Sequence, residues 1–290
     1  MFLQIFTVIF PLFAIVSIGF FYGRKHAPDM LSANQLNLDI FTPALIFHVL
    51  ADKNFQVDMY SQLAIGGAIV VVFSGILAWP VAKFMGFNVK TFVPPMMFSN
   101  SGNIGLPLAL FAFGEQALPA AVMLFIVENT LHFSLGMKMM NRNISLFSIV
   151  KIPMVSATVL GLGLSISGWV LPDVVTISIE MLGMVAIPLM LFSLGVRLTS
   201  VNLQDWRIGL VGAIICPATG ICMVLLITPF LNLNELQYGQ LLIFGVLPPA
   251  VLNFMIAEKY NQQPKQVASI VLLGNLGSLV TIPAVLYFLL

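Results

Sequence analysis

The chain is a succession of apolar runs, each about 20 residues long, joined by short polar linkers. One α-helix needs a run of this length to cross a bilayer, whereas a membrane-spanning strand needs only about ten residues of alternating polarity. Charged residues make up 8% of the chain, against about 25% in a soluble domain, which excludes a water-soluble fold. We therefore predict an all-α membrane protein with ten transmembrane helices. They span residues 3–22, 31–50, 60–84, 91–113, 117–137, 149–168, 173–195, 207–229, 236–257 and 267–289.

The basic residues predict the orientation, because Lys and Arg collect in cytoplasmic linkers. Of the 12 basic residues, only Lys53 falls in or beside a linker that follows an even-numbered helix. The others lie at the linkers after odd-numbered helices: Arg24, Lys25, Lys83, Lys90, Lys138, Arg142, Lys151, Arg197, Arg207, Lys259 and Lys265. Those linkers are therefore expected in the cytoplasm, and both termini on the non-cytoplasmic side. This unequal distribution also favours ten helices. If one helix had been missed, the later basic residues would fall on the other side of the membrane.

The two halves of the chain repeat one pattern. Helix 4 is interrupted by "SNSGNIGLP" and helix 9 by "GVLPPAVLN", at corresponding places in residues 1–138 and 149–290. Each half has five predicted helices. Because five is odd, the second half starts on the opposite side of the membrane and has the inverted topology. Interrupted helices at matching positions of inverted halves are the best sequence pointer to the binding site of a transporter. We therefore expect two inverted repeats whose broken helices cross near the midplane.

These interruptions predict a substrate site. Backbone without hydrogen-bond partners survives in a membrane only where protein or a water-filled cavity surrounds it, and each break exposes a helix N-terminus with partial positive charge. An anion can bind there, and no Arg or Lys is predicted at this depth. The alternative is that the Pro and Gly residues are ordinary kinks of membrane helices. The predicted substrate-binding residues are Ser99, Asn100, Ser101, Asn103, Gly105, Pro248 and Pro249.

An acidic residue in the middle of helix 5 predicts an ion or proton site. Glu128 is costly at that depth and is a functional candidate by default. It could carry a proton or help to bind Na⁺, with Asn129, Asn100 or Asn103 as partners. His132 follows one turn later and could share its proton. Asn275 of helix 10 lies where Glu128 lies in the other half, and we expect it to complete the ion site. The alternative is a neutral Glu128 bonded to nearby backbone.

Motifs along nearly the whole chain resemble the auxin efflux carrier family, which includes plant PIN-formed carriers and bacterial malonate and malate permeases. Helix 2 is similar to the family pattern Asn-x8-Pro-x4-His, with Asn34, Pro43 and His48. Helix 4 is similar to the family's Asn-x4-Gly-x-Pro segment, and helix 7 contains "LFSLG". Helix 9 contains "LPPAVLNFMIAEKYN". The chain departs from the plant carriers at Ser99, where they have Pro, and at Glu128, where they lack an acid.

The resemblance implies a fold and a mechanism. Helices 3–5 and 8–10 would form a transport domain, helices 1, 2, 6 and 7 a scaffold, and transport would be elevator-like. Substrates would be small organic anions, indole acetate in plants and dicarboxylates in bacteria. The short linker between helices 5 and 6 resembles compact bacterial members, which implies a location in the inner membrane.

The leading interpretation is a secondary active transporter of a mono- or dicarboxylate, with no enzymatic activity, cofactor or metal expected. The alternatives are a Na⁺-coupled symporter resembling bile-acid carriers, a passive anion channel, a membrane enzyme or a receptor. A channel would need a continuous polar lining, an enzyme a convergent catalytic set and a receptor a soluble output domain. The expected partners are the anion, H⁺ or Na⁺, and lipid. The sequence has no basic stripe of the kind that binds nucleic acid. A homodimer formed through the scaffold is left as an alternative.

Overall fold

The computed structural model describes residues 2–52, 55–141, 152–200 and 205–289. Some predicted features lie outside these ranges. They are Lys53, Arg142 and Lys151 of the charge pattern, residues 149–151 of the predicted sixth helix, and the terminal residues 1 and 290 of the two predicted halves.

The first half of the described chain forms eight helical pieces. They are α1 (Phe2–His26), α2 (Leu31–Leu36), α3 (Thr42–Leu50), α4 (Val57–Phe84), α5 (Val89–Met97), α6 (Leu106–Phe113), α7 (Leu118–Leu131) and α8 (Met137–Met140). Three widened, π-helical turns connect pieces of this set: Asn37–Phe41, Ser101–Gly105 and His132–Gly136. A short 3-10 turn, Glu115–Ala117, precedes α7.

The second half forms six further helices. They are α9 (Pro153–Ser167), α10 (Asp173–Arg197), α11 (Trp206–Ile227), α12 (Glu235–Val246), α13 (Val251–Lys259) and α14 (Pro264–Leu289). Short 3-10 turns follow α10 at Leu198–Ser200 and α11 at Thr228–Phe230.

The all-helical prediction is confirmed for the described residues, and every predicted helical segment overlaps a helical segment of the structure. Six segments are long and apolar enough to cross a membrane unaided. They are Ile5–His26, Val57–Phe84, Glu115–Met140, Asp173–Arg197, Trp206–Phe230 and Pro264–Leu289. The other predicted spans are shorter or interrupted. The protein is therefore a multi-pass helical membrane protein.

Local sequence explains the limits of α12 and hence the second interruption. The Asn234 side chain accepts a hydrogen bond from the Gln237 N–H at 2.8 Å, and the Gln237 side chain accepts one from the Asn234 N–H at 3.3 Å. This reciprocal cap begins the helix. Pro248 and Pro249 have no N–H to continue it, so α12 ends at Val246.

The helices pack most closely in two groups. One contains α1, α3, α9 and α10, and the other contains α4, α5, α7, α11, α12 and α14. In the first group, Gly195 faces the Val16 carbonyl oxygen and Gly19 faces the Phe192 carbonyl oxygen so closely that a Cβ would collide. Small residues allow such approaches in lipid, where packing rather than the hydrophobic effect drives helix association. A cavity with polar and apolar lining residues lies between the groups, and both groups contribute to it.

Candidate functional site

The two interrupted helices meet at their breaks. Ser99 and Pro249 pair as a short antiparallel bridge. The Asn100 N–H donates to the Pro248 carbonyl at 2.7 Å, and the Ala250 N–H donates to the Phe98 carbonyl at 2.9 Å. Each break thus supplies the hydrogen-bond partner that the other lacks, which is what a non-helical backbone needs inside a membrane.

The first break is shorter than the sequence analysis placed it. Only Phe98–Asn100 are non-helical, whereas Ser101–Gly105 form a widened helical turn that leads into α6. Within this turn the Gly105 N–H bonds to the Asn100 carbonyl five residues earlier, at 3.0 Å. Pro107 has no N–H group, so it cannot form the ordinary α-helical hydrogen bond to the carbonyl four residues before it. The widened turn therefore loses no such bond at this position.

Buried amide side chains hold the crossing together. The Asn253 Nδ2 donates to the Phe98 carbonyl at 2.8 Å and to the Ala250 carbonyl at 3.0 Å. The Asn100 Nδ2 donates to Asn275 Oδ1 at 3.0 Å, and the Asn275 Nδ2 donates to the Pro249 carbonyl at 3.1 Å. Sequence reasoning missed Asn253, although a polar residue four positions after a double proline in an apolar run was a usable signal.

A cavity of about 150 Å³ lies beside the crossing. Seven of the predicted site residues line it: Ser99, Asn100, Ser101, Asn103, Glu128, Asn129 and His132. The other four do not. Pro248 and Pro249 form the crossing backbone, and Asn275 lies behind it, where it lines a separate apolar cavity. Gly105 packs against Leu247, whose Cδ1 would lie 2.9 Å from an added Cβ, so it allows close packing and does not line the cavity.

Two helix N-termini face this cavity. Ser101, Gly102 and Asn103 come from the turn that starts the second half of the first broken helix, and Ala250, Val251 and Leu252 come from the start of α13. The first N–H groups of a helix have no intrahelical partner. No side chain caps either end. The cavity therefore presents two sets of N–H donors with partial positive charge, which suits an anion.

Glu128 is buried on α7, with 2% of its surface exposed. The Ser101 hydroxyl donates a hydrogen bond to its Oε2. Two of the three predicted amide partners bond elsewhere: the Asn129 Nδ2 donates to the Phe125 carbonyl at 2.9 Å, and the Asn100 Nδ2 donates to Asn275 Oδ1. Glu128 is thus tied to the broken helix through a hydroxyl group.

His132 lies one turn beyond Glu128, as predicted. Its Nδ1 is 3.8 Å from Glu128 Oε1, and neither atom has a hydrogen-bond partner. The imidazole stacks on the ring of Phe98 with centroids 4.1 Å apart and planes 6° apart. Since Phe98 belongs to the first break, the acid and the histidine both contact the crossing.

Unpartnered polar atoms concentrate in this cavity. Among the described residues, eight buried side-chain nitrogen or oxygen atoms lack a protein partner, and five of them belong to residues that line it. They are Asn37 Oδ1, Thr42 Oγ1, Ser99 Oγ, Glu128 Oε1 and His132 Nδ1. Buried polar groups normally find a partner, so these atoms point to water or a ligand in the cavity. No group of three or more His, Cys, Asp or Glu that could hold a metal occurs in the described ranges.

A cation also lines the cavity, which the sequence analysis did not predict. Arg197, expected beside the linker after helix 7, is the last residue of α10 and only partly exposed. Together with Met190, Ser193 and Leu194 it lines the cavity, at the i, i+3, i+4 and i+7 positions of one helix face. The spacing shows that these four residues share one helix face, but it does not show what that face meets. The Ser193 hydroxyl, on the same face, donates to Asn34 Oδ1 on α2.

Comparison with known proteins agrees with a transport site. The chain is 25% identical to an uncharacterized transporter of Methanocaldococcus jannaschii, over 95% of this chain and 96% of that protein. It is 24% identical to a protein of Rhizobium meliloti that is provisionally named a malonate transporter, over 99% of this chain and 96% of that protein. A family described as membrane transport protein matches residues 142–286, half of the 290-residue chain. The chain therefore belongs to this membrane transport protein family, the auxin efflux carrier family that its motifs resemble.

Proposed function

We propose that the protein is a secondary active transporter of a small organic anion, a mono- or dicarboxylate. The observation that carries this proposal is the cavity beside the crossing, which two uncapped helix N-termini and the amides of Asn100 and Asn103 line together. A carboxylate accepts hydrogen bonds from such donors, and no fixed charge is needed to hold it there. Binding by dipoles and amides is also weak enough to allow release on the other side.

The size of the cavity favours a compact substrate. A protein cavity of about 150 Å³ holds a molecule as large as benzene. Malonate and malate, with seven and nine non-hydrogen atoms, are near this size, whereas indole acetate is about twice as large as benzene. The Rhizobium meliloti relative is named for malonate, which makes malonate the first substrate to test.

The proposed architecture has ten spans in two inverted repeats, residues 1–138 and 149–290. The scaffold comprises α1–α3, α9 and α10, and the transport domain comprises α4–α8 and α11–α14. The two packing groups and the reciprocal hydrogen bonds between the breaks support this division. The cavity has walls from both groups, so an elevator-like movement of one group against the other would carry the substrate across.

The proposed orientation puts the basic linkers in the cytoplasm of a bacterial cell and both termini outside its inner membrane. On this basis the cavity opens inward. Asn34, Met154 and Arg197 lie near the cytoplasmic ends of α2, α9 and α10, and all three line it. In the proposed orientation this arrangement is an inward-facing state.

Glu128 is the proposed coupling residue. Its carboxyl group contacts the broken helix through Ser101, so a proton on Glu128 would change the hydrogen bonding at the substrate site. The neutral, protonated carboxyl group of Glu128 would also repel an incoming anion less than its carboxylate form would. The Na⁺-coupled alternative has one specific observation in its favour: Ser99 Oγ and Glu128 Oε1 are unpartnered oxygens, the ligand type that hard cations prefer.

The test is uptake by the purified protein in liposomes. Labelled malonate, malate and indole acetate are offered under imposed proton, Na⁺ and voltage gradients. We expect saturable uptake of malonate or malate driven by the proton gradient; Na⁺-driven uptake would favour the alternative. Asn100→Ala should lower the ratio of maximal rate to KM at least about tenfold, because it removes a buried hydrogen bond at the crossing.

The matched control is Asn232→Ala, at an exposed position between α11 and α12, which should transport like the wild type. Uptake that is unchanged in Asn100→Ala would place the site elsewhere. Flux that never saturates and ignores both ion gradients would indicate a passive anion channel. Absence of uptake under every gradient would contradict the proposed function.

A further inference from the structure

We propose that Arg197 binds a second carboxylate of the substrate and thereby makes the transporter selective for dicarboxylates. This inference rests on the proposed function and narrows it to one class of anion. In this arrangement the crossing of the broken helices holds one carboxylate by its N–H groups, and the guanidinium of Arg197 holds the other.

The position of Arg197 is the first argument. Among the described residues that line the cavity it is the only Lys or Arg. It is partly buried at the end of α10, and it lines the same cavity as the first turn of α13 and the widened turn at Ser101–Gly105. It is therefore the only described Lys or Arg that an anion in this cavity would meet.

The contacts of the guanidinium are the second argument. Its Nη2 lies 3.8 Å from Met255 Sδ, a weak and uncharged acceptor. One charge that acts on it is Glu258, which lies exposed three residues after Met255 on α13. Electrostatic attraction to an exposed carboxylate is weak because water competes for both charges. A carboxylate inside the cavity would meet less water than Glu258 does. It would therefore compete with Glu258 for the N–H groups of the guanidinium.

The geometry of the two anion-binding elements is the third argument. Arginine has a planar fork of N–H donors that matches both oxygens of a carboxylate, which a helix N-terminus does not offer. The cavity is thus lined both by N–H groups at the crossing and by one guanidinium on α10. In the proposed arrangement a monocarboxylate uses only one of these two elements, whereas a dicarboxylate uses both.

A purely structural role for Arg197 predicts something different. If the side chain only holds α10 in place against its neighbours, its loss would weaken transport of every anion by the same factor. Dicarboxylate recognition instead predicts a loss confined to substrates with two carboxylates. The ratio between matched substrates therefore separates the two roles.

The experiment compares malonate with malonamate, its monoamide, which has the same number of non-hydrogen atoms but one negative charge. Both compete with labelled malonate for uptake by wild-type, Arg197→Gln and Arg197→Lys protein in liposomes. We expect the wild type to prefer malonate about 10- to 100-fold, the range for a charge-assisted hydrogen bond. Arg197→Gln should reduce this ratio to about one while malonamate affinity is kept. Arg197→Lys should fall between them, because it keeps the charge and loses the fork.

Arg207→Gln is the matched control, since it removes the same charge at an exposed position at the start of α11 and should keep the wild-type ratio. An unchanged ratio in Arg197→Gln, even with slower transport, would overturn the inference. So would a wild type that takes malonamate as well as malonate, although the proposed function would then stand. If the wild type carries no anion at all, the proposed function fails and this inference fails with it. If Arg197→Gln does not fold, an unchanged ratio in Arg197→Lys overturns the inference in its place.

Discussion

The crossing of the two breaks depends on Asn253, and its replacement by alanine tests that dependence quantitatively. The Asn253 side chain is buried and donates two hydrogen bonds, to the Phe98 carbonyl at 2.8 Å and the Ala250 carbonyl at 3.0 Å. Each is worth roughly 0.5–1.5 kcal/mol net. Both carbonyls keep another donor, the backbone N–H of Ala250 and of Asn253 respectively, so neither is left without a partner. The expected loss is therefore about 1–3 kcal/mol of unfolding free energy.

The assay is reversible unfolding of the purified protein in mixed micelles with increasing SDS, followed by tryptophan fluorescence. Asn253→Ala should lower the unfolding free energy by the stated amount, and Asn232→Ala, at an exposed position, should stay within about 0.5 kcal/mol of the wild type. Malonate uptake should also fall in Asn253→Ala, because the N-terminus of α13 would no longer be held against the first break. A stability of Asn253→Ala equal to that of Asn232→Ala would refute the idea that this amide holds the crossing.

Two further predictions concern helix packing and coupling. Gly195→Ala should destabilise the protein by about 1–3 kcal/mol or more, because its Cβ would collide with the Val16 carbonyl oxygen. Gly163→Ala on α9, where nothing lies within 4 Å of an added Cβ, should instead stabilise by up to about 1 kcal/mol in the same SDS titration. Equal effects at the two positions would contradict the close approach of α1 and α10. Glu128→Gln, which cannot exchange a proton, should abolish accumulation of malonate driven by a pH gradient and keep malonate exchange, whereas exposed Glu115→Gln should keep both. Accumulation that persists in Glu128→Gln would assign coupling to another group.

Much of the helical framework could be predicted because hydropathy and proline act locally. A run of about 20 apolar residues forms a membrane helix regardless of its neighbours. The paired prolines at Pro248 and Pro249 stop α12 because they lack N–H groups. The limits of the first break could not be predicted, since the pairing of Ser99 with Pro249 decides which residues leave the helix.

The candidate site was only partly predictable. Asn100 and Glu128 were recognisable, because polar residues stand out in apolar runs. Their partners were not, since Asn275 and Ser101 are 175 and 27 residues away in the chain. Nothing in a local pattern specifies which of several buried hydroxyl and amide groups will face a given carboxylate.

The sequence alone determined that this chain is an all-helical membrane protein with two interrupted helices, because the length and polarity of each run leave few alternatives in a bilayer. Only the tertiary structure decided that the interruptions pair with each other, that Asn253 holds them, and that Arg197 lines the cavity. The physical reason is that a binding site is made of side chains from different helices. Their meeting depends on how α10 and α13 pack, and the charge and hydropathy of either helix do not contain that information.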